Sequence, residues 1–345
     1  LTHRFFRGLA RRSLVVAAVI GALTGCAPSA GRSAGAKPVV ASRGPRWVSP
    51  KWSATGHADH PLVGRWYSPS AGAFVDGDAV IMRAIGSDLV GIGETHDAPD
   101  HHAVQAQFLH ALIGSGRRPA LVLEMIDEDR QVALDTARAK PAATPDALAD
   151  AVADAVDWAH AGWPAFAMYR PLFVEALAAG APIIAGNQPL AVTRRWVRAP
   201  DASADAAERA RLGLDRAWPE AWTRALRDEL VADHCGMIAA DSKYVDGMVL
   251  AQRARDATLA VHLRAAPADG AVLVAGSGHV RNDRGVPWAL GSGAPARSML
   301  AIGLLEVDPA MPAPEAYGAR FGAARLPFDF VLFTPATARP DPCAR

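Results

Sequence analysis

Asp88-Leu89-Val90-Gly91-Ile92-Gly93 runs directly into Glu94-Thr95-His96-Asp97, and Pro99-Asp100-His101-His102 follows. A short, unbroken apolar run ending at glycine reads as a strand covered on both faces. Beyond it, Val104, Phe108, Leu109 and Leu112 form one helical stripe, closed by Gly114 and Gly116. The same alternation recurs along the chain. Ala120–Leu123, Pro182–Ala185 and Ala271–Ala275 read as three more buried strands, and Met299–Val307 and Phe328–Phe333 as two near the end. Between them, Ala147–His160 (with Leu148, Val152 and Val156 four apart), Phe166–Ala179, the region 202–232 and Val245–Leu263 have helical spacing. Apolar strands alternating with helices predict an α/β fold: a mostly parallel sheet flanked by helices. The long helical stretch between the third and fourth core strands is expected as an insertion or cap beside the sheet.

The chemistry-bearing residues follow strand ends. The first strand leads to Glu94 and His96, the second to Glu124, the third to Asn187, and the fourth to Gly276-Ser277-Gly278-His279. In open α/β sheets the carboxyl ends of the strands are where ligands bind. Glu94 and Glu124 end apolar strands, where an unpaired carboxylate is costly to bury and a metal or other cation would relieve the cost. Glu and His together suit a divalent metal such as manganese, cobalt or zinc, or a general acid/base set. The candidate metal set is Glu94, His96, Glu124 and His279, with His101 and His102 beside it. As a catalytic set, the first four would hold a metal while one glutamate takes a proton from water. Asp97 and Asp100 fit a helix-capping role. A cationic histidine is disfavoured at a helix N-terminus, so His101 and His102 are expected as neutral, ligating or hydrogen-bonded rings. His110 and His262 fall within helical stripes and read as packing residues.

The N-terminal residues carry Arg4, Arg7, Arg11 and Arg12, no acid, and an apolar run from Leu14 to Leu23 before Leu23-Thr24-Gly25-Cys26. That combination is expected to be a lipoprotein signal over 1–25, too short in its apolar part to span a bilayer. Cys26 is the expected lipidation site, giving a protein of the cell envelope that is lipid-anchored to a membrane, the outer membrane where the cell has one. Residues 26–60, rich in Ser, Ala, Gly and Pro, read as the lipidated cysteine and a flexible tether, and 61–345 as one α/β domain. Removing the four leader arginines takes the formal net charge from +1 to −3, which does not suit a nucleic-acid partner. Two cysteines remain, Cys235 and Cys343, and the sequence leaves open whether they pair.

Gly93-Glu94-Thr95-His96-Asp97 with Pro99-Asp100-His101-His102 and Gln105 resembles the opening motif of the ChaN-like haem-binding uptake proteins. These share a superfamily with the Tiki proteases and the TraB and erythromycin-esterase-like proteins. The resemblance continues through Leu123-Glu124-Met125, Tyr169-Arg170-Pro171-Leu172, Ile183-Ile184-Ala185-Gly186-Asn187 and His234-Cys235-Gly236-Met237. It ends with Gln252-Arg253-Ala254-Arg255-Asp256 and Gly278-His279-Val280-Arg281-Asn282-Asp283-Arg284-Gly285. It implies a haem-binding lipoprotein of iron uptake that works with an outer-membrane haem receptor. In that family the haem is held between two protomers of a homodimer with a tyrosine on iron. Tyr244 is the first candidate for that ligand and Tyr169 the second, with Arg170, Arg281 and Arg284 for the haem propionates. The wider superfamily implies the alternative, a divalent-metal-dependent hydrolase (protease or esterase) of the envelope using the strand-end Glu and His residues.

Overall fold

The computed structural model describes residues 45–199, 206–291, 297–341 and 343. The expected signal segment, Cys26 and the first part of the tether lie outside the described residues. A short antiparallel pair comes first, β1 (Trp66–Ser68) and β2 (Ala73–Val75), then α1 (Gly77–Ile85), β3 (Leu89–Glu94), α2 (Pro99–Gly114) and β4 (Ala120–Asp127). The helices α3 (Gln131–Arg138), α4 (Pro145–Ala155) and α5 (Phe166–Ala178) lead to β5 (Ile183–Asn187). Next come α6 (Leu190–Arg198), α7 (Ala206–Arg211), α8 (Glu220–Asp233) and α9 (Lys243–Arg264). The chain closes with β6 (Ala271–Gly276), α10 (Ser277–Val280), α11 (Val286–Gly291), β7 (Met299–Glu306) and β8 (Phe330–Thr334).

The eight strands form one sheet in the order β2-β1-β8-β7-β3-β6-β4-β5, parallel from β8 to β5, with β1 antiparallel to β8. This is the expected α/β architecture, and α6 to α9 form the helical insertion between the third and fourth core strands. The short β1–β2 pair was not expected, because three-residue strands carry too few apolar positions to show a period. Successive side chains in a strand point to opposite faces. On one face Val90, Ile92, Leu121, Leu123, Val272 and Val274 meet Phe108, Leu112, Leu172 and Phe173 of α2 and α5. On the other, Leu89, Val122, Leu273 and Ala275 meet Leu259, Ala260 and Leu263 of α9. A smaller cluster joins Trp196 of α6 to Ala251, Ala254 and Ala257 of α9.

Glycine decides two close approaches. A Cβ on Gly93 would lie 2.9 Å from the Ser277 Cα, and one on Gly247 would lie 2.2 Å from the Val197 carbonyl oxygen. The first lets α10 rest against β3, and the second lets α6 lie along α9. Helix starts follow the usual capping chemistry: Thr144 accepts from Ala147 N–H ahead of Pro145, and Ser242 accepts from Val245 N–H at α9.

Residues 45–60, read from composition as tether, pack on the domain. Trp47 stands edge-on to Trp66 at 5.1 Å, and Ser53 and Ala54 donate to the Asp100 carboxylate. Asp100 therefore holds this incoming segment rather than capping α2, and Asp97 pairs with Arg339.

Cys235, just past the end of α8, and Cys343 form a disulfide with Cα atoms 5.4 Å apart. It closes a loop spanning 108 residues, for which the chain-entropy account gives a stabilisation of about 4 to 5 kcal/mol. Reduction, or Cys343→Ser, is expected to lower the denaturation midpoint measurably while leaving the far-ultraviolet circular dichroism of the folded protein unchanged. An unchanged midpoint would show that the bridge constrains nothing.

Candidate functional site

The strand-end Glu and His residues are brought together at the carboxyl edge of the sheet. Glu94, the last residue of β3, is 3 % exposed. Its Oε1 accepts from Tyr169 Oη at 2.7 Å and lies 2.8 Å from His96 Nδ1. Its Oε2 accepts from Gln105 Nε2 at 2.6 Å and lies 3.1 Å from His102 Nδ1. Burial pushes this carboxyl up, but hydrogen bonds from His102 and His96 outweigh it and hold it at about 2.

Glu124, on the neighbouring part of the edge, meets Arg255 and His279 Nε2 (3.1 Å) through Oε1, and its Oε2 accepts from the Gly276 N–H at 2.8 Å. Burial works against its charge, yet His279 and Arg255 keep it well below the usual carboxylate range. His279 sits on α10, 4 % exposed, with Nδ1 2.6 Å from Asp256 of α9. Burial disfavours its cation, but the two flanking carboxylates prevail and raise it to about 9. The order Asp256–His279–Glu124–Arg255 thus alternates acidic and basic groups, the first three buried and Arg255 half-buried.

His96 joins the two halves. Its Nδ1 faces Glu94, its Nε2 stands 3.8 Å from Glu124 Oε2, and its ring meets Trp163 edge-on at 4.9 Å. Its side chain is 33 % exposed, so a small molecule can approach it. Burial lowers its basicity, but Glu94 and Glu124 raise it overall. A half-buried histidine oriented by a buried carboxylate is equipped for general acid/base work.

The two adjacent histidines of α2 divide. His101 accepts from Thr95 N–H on Nδ1 and meets Thr334 Oγ1 on Nε2, and burial lowers it to about 4. It is the neutral, hydrogen-bonded ring expected. His102 is also hydrogen-bonded, but despite burial its pKa is raised, because Glu94 lies against Nδ1 while Nε2–H donates to the His96 carbonyl. The local carboxylate outweighs the helix dipole.

Among the described residues, no group of three or more His, Cys, Asp or Glu side chains could hold a metal ion. The physical reason is that the donors face one another: Glu94 is closed by four partners and Glu124 by three. Arg255 and His279, the latter raised to about 9, supply positive charge where a metal was expected to bring it. The residues as arranged therefore do not fit a metal centre at Glu94, His96, Glu124 and His279. Asp256 and Arg255 were not singled out individually from the sequence. A signal was present, since Asp256, Ala260 and Leu263 follow the i, i+4, i+7 stripe that α9 buries, with Val249 two turns before them.

The candidate haem residues are scattered. Tyr169 is fully buried against Glu94, whereas Tyr244, in the first turn of α9, is 50 % exposed. Arg281 is 1 % exposed and holds Asp283 and Glu229; Arg284 is also buried on Glu229, and Arg170 pairs with Asp150. Three exposed arginines with no partner among the described residues, Arg194, Arg195 and Arg198, lie on α6, which Val197 joins to Gly247 of α9.

The buried ion pairs make stability depend on pH from both sides. His279, raised from 6.5 to about 9, contributes stability that is complete below about pH 6.5 and lost as pH rises through about 9. Glu94, lowered from 4.5 to about 2, contributes stability present above about pH 4.5 and lost as pH falls through about 2. Each limb is worth on the order of 3 kcal/mol. Urea midpoints are expected to stay level between the limbs and to fall beyond them, with His279→Gln diminishing the alkaline limb, to which the raised His96 and His102 also contribute. An alkaline limb of undiminished size in that variant would show that His279 does not titrate there.

The sequence model of a family described as haem-binding uptake, Tiki superfamily, ChaN, matches residues 80–290, more than half of the chain. No curated protein sequence matches the chain. In fold the chain is similar to ChaN of Campylobacter jejuni, described as binding haem cofacially, at a TM-score of 0.59 and 17 % identity over 77 % of this chain and 95 % of that one. A mutant of the erythromycin esterase EreC in its open conformation is similar at a TM-score of 0.42 and 10 % identity, over 81 % of this chain and 100 % of that one. With the family match spanning β3 to α11 and every strand-end residue of the cluster, the chain belongs to the ChaN family of haem-binding uptake proteins in the Tiki superfamily.

Proposed function

We propose that this protein is a membrane-anchored haem-binding lipoprotein of haem and iron uptake. Besides family membership, one observation supports a specific haem ligand. Of the four tyrosines, Tyr67 is bonded to Glu315, Tyr169 to Glu94, and Tyr317 to the Asp308 N–H, all three buried. Tyr244 alone presents an exposed phenol with no partner among the described residues. An accessible tyrosine oxygen suits ferric haem iron, and tyrosinate is one of the established axial ligands.

The neighbouring α6 supports the polar end of the ligand. Arg194, Arg195 and Arg198 are exposed and unpaired, so they can meet the propionates by charge-assisted hydrogen bonds. Arg170, Arg281 and Arg284 are engaged by the protein's own carboxylates and are not carried forward in that role. Cofacial haem binding, described for the Campylobacter protein, would bring two Tyr244 surfaces together around haem in a homodimer. Titration of haem into the domain is expected to give a saturable Soret band whose midpoint rises about tenfold or more in Tyr244→Phe. Absence of saturable binding would overturn the haem reading, and an unchanged midpoint in the variant would overturn the Tyr244 assignment.

The address rests on the sequence, with Cys26 as the lipid attachment site and an outer-membrane haem receptor as the expected partner. One fact accords with it: the Cys235–Cys343 bridge suits a compartment outside the cytosol. Expressed with its leader, the protein is expected in the membrane fraction, and Cys26→Ser is expected to shift most of it to the soluble fraction. Equal membrane association of both forms would remove Cys26 as the anchor.

A further inference from the structure

Outside the carboxyl ends of β4 and β5 a cleft of about 440 Å³ opens, bordered by Asp127, Arg130, Trp163, Asn187, Gln188 and Arg255. Its size is that of small-molecule sites. Most of its polar groups are already engaged. Asn187 bridges Asp127 and Arg255, Arg255 reaches on to Glu124, and the second Asp127 oxygen accepts from the Leu190 N–H.

Two are not. Gln188, the first residue after β5, is 1 % exposed, and neither Nε2 nor Oε1 has a hydrogen-bond partner among the described residues. A fully buried carboxamide with both atoms unmet is rare, because each loses its water without compensation. Arg130, at the end of the short 3-10 turn after β4, is exposed with no carboxylate partner among the described residues. Asp127 and Asn187 pair in register, so Gln188 and Arg130 leave adjacent strand ends and border the same cleft. Trp163 adds an aromatic border and also stands edge-on to His96.

We propose that this cleft binds a small molecule carrying a secondary amide and a carboxylate, the chemistry shared by short peptides and N-acyl amino acids. Gln188 Nε2 donates to the ligand's amide carbonyl, and where the ligand is a peptide Gln188 Oε1 accepts from the N–H of a neighbouring amide. Its carboxylate pairs with Arg130, and its carbon chain lies against Trp163. The cleft borders His96 through Trp163 and does not include Tyr244, so the inference is independent of haem binding.

The test uses the whole chain and isothermal calorimetry with two probes, N-acetylglycine and triglycine, against acetate and N-methylacetamide as controls that each lack one recognition group. Saturable binding of either probe is expected, and the tighter one identifies the source, acyl amino acid or peptide. Each control is expected to bind at least tenfold more weakly. Gln188→Leu and Arg130→Ala are each expected to weaken the probe about tenfold, with Tyr244→Phe unchanged. Arg130 is a surface residue, so its variant reports even where Gln188→Leu perturbs folding. The inference is overturned if neither probe saturates, if Arg130→Ala binds as the parent does, or if a crystal soaked with probe shows Gln188 met by ordered water alone.

Discussion

Glu94 is a carboxylate placed at the end of the sheet's central β3 strand and almost entirely out of water. An ionised group there is tolerable only when its lost hydration is replaced by nearby donors. The replacement comes from three directions: His96 from the loop after β3, His102 and Gln105 from α2, and Tyr169 from α5. Removing any one partner would leave a buried charge undercompensated. The position of α2 and α5 on one face of the sheet is therefore tied to the chemistry at its edge.

The opposite face makes a matching demand. Glu124 is charged because Arg255 and His279 flank it, and His279 is charged because Asp256 stands behind it. This row requires α10 to lie against β3 and β6, which the missing side chain of Gly93 permits, since any Cβ there would meet the Ser277 backbone. It also requires α9 to present Asp256 inward among leucines and alanines. The two faces meet at His96, between Glu94 and Glu124, and it is the partly exposed member of the set. In this arrangement the donors compensate one another's charge.

The site edge and the exposed tyrosine occupy different parts of the insertion. α9 carries Tyr244 in its first exposed turn and Arg255 and Asp256 at the buried cluster farther along. One helix thus links the exposed Tyr244 to the charge row at the sheet edge. α8, tied through Cys235 to the C-terminal segment by the disulfide, packs beside it.

The sequence by itself determined the alternation of strands and helices, the parallel sheet, the insertion after Asn187, and the placement of Glu94, Glu124 and His279 at strand ends. These follow from local facts: apolar runs have a period, and a carboxylate after such a run has no neighbour able to hide it. Tertiary structure decided what those residues do. That the pKa of His102 is raised and that of His101 lowered depends on which atoms face each ring, although the two are adjacent in sequence. That Arg281 and Arg284 hold Glu229, that Tyr169 is buried while Tyr244 is open, and that Arg255 stands where a metal was expected all arise from contacts between residues 50 or more positions apart, or from burial. Periodicity reports which face a side chain occupies; only the packed chain decides which partner it meets there.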